Sequence, residues 1–341
     1  MKLKRICDQK GKKGNKPIVS ICCWTFNHKK FIRKALDRML MQKTAFPVEI
    51  ILHDDASRDG TEKIIRMYKK RYPKTIKLIA QKQNQYSVVG SLMLEPILQR
   101  ASGKYIAFCE GDDYWNDPLK LQKQYECLEK NPEFSMCGHD AKIVDDKNRL
   151  LKKSLLPDWA KRDFNAEECM AGSTYIQTLT LMARNVIKTL PMEFGRVLNA
   201  DNFLTSLLGG HGGYKFCKNV KNACYRQHSG GIWTSMDDSS QILSQLATNF
   251  WIQKYYSNKK NSYVCEKYQE RLELLAEAFL KKRGWVGYLA PNYAVLIQRL
   301  RKQMRSHLRA FLFSFRPNQK TFLTGSHVKN RIAGFLQAGF F

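Results

Sequence analysis

Apolar residues in the first third of the chain come in short unbroken runs, each followed by a stretch in which they repeat at helical spacing. Ile18–Trp24 is a run of the first kind. After it, Phe31, Ala35 and Met39 share one helical face beside Ile32, Leu36 and Leu40. Val48–His53 starts a second cycle, whose helix carries Ile64, Ile65, Tyr68 and Tyr72. Ile76–Ala80 is a third run, followed by a helix near 92–99, and Lys104–Cys109, introduced by the Ser102-Gly103 turn, is a fourth. The runs end at 24, 53, 80 and 109, about one β-α unit apart. This predicts an α/β fold with four successive units in one mostly parallel sheet flanked by helices.

Beyond the fourth run, Asn116-Asp117-Pro118 supplies a cap and a proline for a first helical turn, and Leu121, Tyr125 and Leu128 keep the helical period until Asn131-Pro132. Phe134–Val144 reads as one strand closed by the turn 145–148, and 150–172 is polar and irregular. Thr178–Ala183 suggests a strand, Val186–Leu190 a short helix, and Asn199–Leu204 the opening of a helix that stops at Gly209-Gly210. From Met236 the pattern is helical, marked by Ile242, Leu246, Phe250, Leu272, Leu275 and Phe279. Three parts are expected: a basic tail 1–16, a sheet domain 17–235, and a helical, basic region 236–341.

The fourth apolar run stops at Glu110-Gly111-Asp112-Asp113-Tyr114-Trp115. Acids clustered at the carboxyl end of a parallel strand repel one another unless donors or a cation hold them, and that end is where open α/β sheets bind ligands. Carboxylate oxygens suit Mg²⁺ or Mn²⁺, which would bridge them to a nucleotide's phosphates. Thr25, Asn27, Asp54 and Asp55 end the neighbouring strands, so they and Asp112 and Asp113 are expected in one crevice. Asp55 has two readings: acceptor for a base N–H, or cap of the following helix.

Composition narrows the partners. The 341 residues carry 58 Lys plus Arg against 30 Asp plus Glu, a net charge of +28, which points to a polyanion: nucleic acid, an anionic membrane face or a phosphate-bearing substrate. No stretch approaches a bilayer-spanning length and Met1–Lys16 has no apolar signal core, so a cytoplasmic location is expected. Ten scattered cysteines without a Cys-x-x-Cys pair suggest reduced, mostly buried thiols.

The ordered set formed by Pro17-Ile18-Val19-Ser20 with Thr25-Phe26-Asn27, then 54–61, then Gly103–Ala107 leading into 110–115, resembles bacterial family 2 glycosyltransferases of GT-A type. The likeness is close over 17 to about 130 and looser to about 235. It implies a GT-A, Rossmann-like catalytic domain and an inverting transfer of sugar from a nucleotide-diphosphate donor, a UDP-sugar by preference, to a hydroxyl. By the same resemblance, Thr25, Asn27 and Asp55 would hold the nucleoside, Asp112 the ribose or the cation, and Asp113 the Mn²⁺ or Mg²⁺ on the diphosphate. Glu110 would replace the first acid of the acid-x-acid signature, which leaves open whether it or Asp113 lies nearer the metal, and it is grouped with Trp115 on the sugar and acceptor side. Asp201, opening its helix, would be the base that deprotonates the acceptor; its other reading is an N-terminal helix cap.

Tyr225–Trp233 resembles a segment that closes the family's catalytic domain, in which His228 would ligate the cation or bond a phosphate and Arg226 would pair with one. Lys82 either reaches a phosphate or is a solvated surface lysine. Trp115 either stacks on a sugar face or is buried against the sheet.

After Glu277 the chain has no acid, while Lys281, Lys282, Arg283, Arg299, Arg301, Lys302, Arg305 and Arg309 accumulate beside an apolar face through Leu296, Leu300, Met304, Leu308 and Phe311. Such a helix can lie on an anionic bilayer or pack on the sheet domain. Peripheral attachment to the inner membrane face and a lipid-linked glycan acceptor in capsule or O-antigen synthesis follow as expectations. Two rivals compete. A sugar-1-phosphate nucleotidyltransferase would need a glycine-rich loop that 25–30 lacks, and a nucleic-acid-binding protein would not gather acids at strand ends, so no nucleic-acid partner is expected.

Overall fold

The computed structural model describes residues 3–9 and 16–282; the basic amphipathic stretch 296–312 and half of the 1–16 tail lie outside them. Among the described residues two compact units are present: those within 1–85, 93–190 and 204–227 form the first, and those within 86–92, 191–203 and 228–282 the second.

In the first unit the four predicted β-α cycles are all present. Strands β1 (Val19–Thr25), β2 (Val48–Asp54), β3 (Ile76–Ala80) and β4 (Tyr105–Phe108) alternate with helices α1 (Ile32–Leu40), α2 (Thr61–Arg71) and α3 (Glu95–Arg100). Helix α4 (Lys120–Lys130) follows, then β5 (Phe134–Gly138), β6 (Ala141–Val144), β7 (Leu150–Lys152), β8 (Met182–Arg184), helix α5 (Ala200–Gly209), of which only 204 onward belongs to this unit, β9 (Gly213–Phe216) and β10 (Ala223–Arg226). Seven strands make the main sheet in the order β9-β5-β8-β4-β1-β2-β3. All neighbours are parallel except β8, which runs antiparallel to both β4 and β5. The near-complete burial of β1, β2 and β4 explains their unbroken apolar runs, since helices cover both faces of such a sheet.

A buried carboxylate pins the amino ends of these strands. Glu49 in β2 accepts hydrogen bonds from Ser20 Oγ at 2.6 Å and from Ser102 N at 2.8 Å, and pairs with Lys77 of β3 at 2.5 Å. Gly103 donates to the same Ser20 Oγ, and any Cβ there would lie 2.7 Å from Ser20 N. The turn before β4 therefore needs glycine.

Two expectations change. The segment 134–144 is two strands in different sheets, because Asp140 takes the backbone out of register: its Oδ1 accepts from the N–H groups of Ala141, Leu155 and Leu156. β6 then joins a second sheet, β10-β6-β7. The stretch 186–190 is not helical, and 178–180 is a single 3₁₀ turn ahead of β8.

In the second unit, helices α6 (Asp238–Asn258) and α7 (Ser262–Lys282) pack through Leu246, Leu272 and Ala276, with Asp237 capping α6 through Ser240 N at 2.8 Å. No helix among the described residues is long and apolar enough to cross a membrane.

Burial pushes His53 down to about 4 and His139 down to about 3. The unfolded chain protonates each near 6.5, so the stability they contribute is present above that pH and lost as pH falls toward the folded values. Going from pH 7 to 5 should cost about 1–2 kcal/mol for each. His139→Asn should lose less stability than the parent over that interval by about this amount, read from urea midpoints at the two pH values. Parallel losses in both proteins would show that His139 is not responsible.

Candidate active site

The carboxyl ends of β1, β2 and β4 are tied together by backbone hydrogen bonds: Asp55 N to Thr25 O at 3.0 Å, Gly111 N to Trp24 O at 3.0 Å and Cys109 N to Cys22 O at 3.2 Å. The acidic turn after β4 thus lies directly beside the turn after β1. A Cβ on Gly111 would meet the Thr25 side chain at 2.8 Å and His28 Nδ1 at 3.0 Å, so only glycine permits this approach. Thr25 Oγ1 is buried there with no hydrogen-bond partner among the described residues.

The turn after β1 is laced to the one after β2. Asn27 N donates to Ser57 Oγ and Asn27 Oδ1 accepts from Arg58 N, both at 2.9 Å, and Asp59 accepts from Lys29 N at 2.9 Å. Asn27 and Ala56 both have positive φ, 58° and 62°. Asparagine tolerates that region, but alanine pays for it sterically, which marks a loop held in place by its surroundings. Asp54 is the turn's own cap, accepting from Ser57 N and Ser57 Oγ. Asp55 is 2% exposed and takes the Gln85 N–H on Oδ1 at 2.5 Å, so one of its oxygens is already engaged by the loop after β3. Lys82, in that loop, is exposed.

Asp112 and Asp113 have different fates. Asp113 is 2% exposed, its Oδ1 accepts the Arg226 N–H at 2.7 Å, and burial, Asp112 and Glu110 together hold its carboxyl well above the usual carboxylate range. Asp112 is only partly buried, with Oδ2 at 3.6 Å from His28 Nε2. His28 is the residue sequence reasoning missed; its place in the turn after the first strand, directly after Asn27 and three residues after Thr25, was the available signal. Glu110 is half-buried in the same turn, and its carbonyl accepts from Asp113 N at 3.2 Å.

Two expected ligand contacts are corrected. Trp115 is 1% exposed, its indole N–H donates to the Leu179 carbonyl at 2.7 Å, and Lys120 Nζ lies 4.2 Å from its ring centre, so it is core and offers no face to a sugar. Arg226 is 3% exposed and its guanidinium donates to Asp112 O at 2.8 Å, Asp145 O at 2.9 Å and Asn148 Oδ1 at 3.0 Å. It is a tie between two turns, not a group waiting for phosphate.

Asp201 and His228 belong to the second unit. Asp201 lies in the first turn of α5, where its Oδ1 accepts from Asn202 N at 2.9 Å, and burial raises its carboxyl above the usual range. The preceding Asn199 is anchored to α6 by Ser244 Oγ at 2.8 Å. His228 starts a compact turn: its Nδ1 accepts from Gly230 N at 3.2 Å and its carbonyl from Thr234 Oγ1 at 3.0 Å.

The sequence matches the family described as "Glycosyl transferase family 2" over residues 20–190, half of the chain. The chain belongs to glycosyl transferase family 2. It is 34% identical over 228 residues to the uncharacterized protein Rv1520 of Mycobacterium tuberculosis, covering 64% of this chain and 61% of that one. TuaG of Bacillus subtilis, named for teichuronic acid biosynthesis, is 32% identical over 131 residues, 38% of this chain and 50% of that one. Among solved structures, the mannosyltransferase PcManGT of Pyrobaculum calidifontis, in complex with GDP-Man and Mn²⁺, superposes with a TM-score of 0.56 at 13% identity, covering 97% of this chain and 90% of that one. The architecture is the GT-A fold. The chain spans about three fifths of the length of its mycobacterial relative.

The residues fit a divalent cation: a half-buried carboxylate, an imidazole nitrogen 3.6 Å from it and an unpartnered buried hydroxyl stand at one strand edge. Oxygen with nitrogen suits Mn²⁺ better than Mg²⁺.

Arg226→Lys keeps the charge and loses the forked geometry. It should lower stability by about 2 kcal/mol, as several part-buried acceptors lose a donor, and weaken Mn²⁺-dependent thermal stabilisation by loosening the acidic turn. Undiminished stability in urea together with lost nucleotide binding would instead put Arg226 on phosphate.

Proposed function

We propose that this protein is an inverting glycosyltransferase that moves a sugar from a nucleotide-diphosphate donor, a UDP-sugar by preference, to a hydroxyl of a lipid-linked glycan. The observation that carries this reading is the meeting of Asp55, Asp112 and His28 at the carboxyl ends of adjacent parallel strands within a family 2 glycosyltransferase domain. In it, Thr25, Asn27 and Asp55 hold the nucleoside side. Asp112, with His28 and, by family likeness, His228, holds a divalent cation, while Asp113 braces the turn from beneath. A cation bound there would offset the charge gathering on the departing diphosphate.

Asp201 is the base in this reading. It takes the acceptor's proton as the oxygen attacks the anomeric carbon from the face opposite the diphosphate, through an oxocarbenium-like state. A carboxyl raised by burial is a better proton acceptor at neutral pH, provided it remains ionised. The name of TuaG and the basic charge of the chain support a surface-glycan acceptor at the inner membrane face. Flotation with anionic liposomes tests the last point, since equal binding by a chain ending at Gly284 would exclude the tail.

Asp201→Ala should leave donor binding intact and lower nucleoside diphosphate release by roughly 10²–10⁴-fold. The parent should lose activity as pH falls through the raised Asp201 value, above the ~4 of an ordinary aspartate. Unchanged turnover in the variant removes Asp201 from the mechanism. Thermal shifts with UDP, GDP and dTDP, each with and without Mn²⁺, identify the donor base. No metal-dependent shift with any of them would defeat the donor assignment.

A further inference from the structure

Three cysteines that play no part in the site above meet in the first unit. Cys127 is on α4, Cys137 on β5 and Cys217 just past β9, which runs beside β5 with Lys215 opposite Cys137. Their Sγ atoms all lie within 4.8 Å of one another. Sulfurs bound to one ion at ~2.3 Å in a trigonal arrangement are about 4 Å apart, so small side-chain adjustments suffice to close the set. Cys137 and Cys217 are buried and Cys127 is partly exposed, which gives solutes access to one edge.

The charge around the cluster favours a site that is net negative once filled. Lys120 is fully buried, donates to Gln124 Oε1 at 2.6 Å, and has no carboxylate partner among the described residues. Burial pushes it down to about 8, while the thiols of Cys137, Cys109 and Cys217 pull it up. Within the cluster, hydrogen bonds from Cys137 and Cys217 hold the Cys127 thiol well below its usual range. An isolated buried cation is costly, and an anion beside it offsets that cost. Three thiolates around a divalent ion carry a net charge of −1, equal and opposite to Lys120.

We propose that Cys127, Cys137 and Cys217 form a trithiolate site for a soft divalent d¹⁰ cation of the zinc and cadmium type, chemically distinct from the oxygen-rich strand edge that hard cations prefer. Three Sγ–metal bonds form, the protons still on the thiols leave to solvent, and no electron is transferred. The exposed edge at Cys127 leaves a fourth position for water.

The test uses the full chain, reduced with a phosphine, freed of oxygen and titrated with Cd²⁺. Thiolate-to-cadmium charge-transfer absorption should saturate at one ion per chain, a signal that carboxylate-bound Cd²⁺ does not give. Cys127→Ser should weaken this binding at least about 10-fold and leave the Mn²⁺-dependent nucleotide response unchanged. Should a serine variant fail to fold, alkylation of the parent decides alone: Cd²⁺ should protect Cys127 from iodoacetamide, as read by peptide mass spectrometry. An absorption band that survives Cys127→Ser, equal alkylation with and without Cd²⁺, or a disulfide among these three in protein purified without reductant would each overturn the proposal.

Discussion

The site depends on how one acidic turn is held at the end of a buried strand. Asp113 is out of water, and its carboxylate meets the backbone N–H of Arg226, the last residue of β10. The guanidinium of the same residue grips the carbonyl of Asp112 and, on its other side, the turn at 145–148. A single residue brought from more than a hundred positions away thus fixes both the carboxylate and the backbone of the turn, so Asp112 can remain near the surface at a defined place. Its charge is delocalised and always present, and its planar fork satisfies several carbonyls at once, which lysine cannot do.

The backbone of the turns after β1 and β2 is organised by a similar over-determination. Asn27 and Ala56 occupy left-handed conformations that cost on the order of 1 kcal/mol or more for a residue with a side chain. They persist because hydrogen bonds between 27–29 and 57–59 leave the two turns no other joint arrangement. The regular sheet beneath supplies the fixed separation of the strand ends that makes this lacing possible, and Glu49 with its serines and Lys77 secures the opposite end of the same strands.

What could be read from the sequence was whatever depends on local period. The strands found at 19–25, 48–54, 76–80 and 105–108 differ by a residue or so from the apolar runs, because burial on both faces writes itself as unbroken hydrophobicity. Asp112 and Asp113 were legible as residues but their difference was not, since only the long-range contact with Arg226 separates the buried Asp113 from the partly buried Asp112. Trp115 and Arg226 were legible as residue types suited to sugars and phosphates, yet tertiary contacts with Leu179 and with the 145–148 turn use them up. The break at His139-Asp140 was invisible for the same reason: the donors that pull the backbone aside include Leu155 and Leu156, a whole strand away. His28 gave no periodic signal, and its neighbour Asp112 is far off in sequence.

The buried acids separate into two kinds, and the separation follows the site. Glu49, beside Lys77 and the Ser20 and Ser102 hydroxyls, and Asp117, beside Lys123, are held below the usual carboxylate range despite burial, because donors and a cation compensate them fully. Asp54 and Asp113 lie above it, because burial outweighs what their donors supply. Asp54 ends β2 and Asp113 follows β4, the strands on either side of β1, where Thr25 also keeps a hydroxyl without a partner among the described residues. Uncompensated buried groups are costly, and acids perturbed in this way gather at functional sites more often than elsewhere. In the reading proposed above, a nucleotide with a divalent cation would supply both missing halves, donors from the base and ribose and positive charge from the ion. Glu49, equally buried near the amino ends of the same strands, carries its own donors and cation and shows no such deficit.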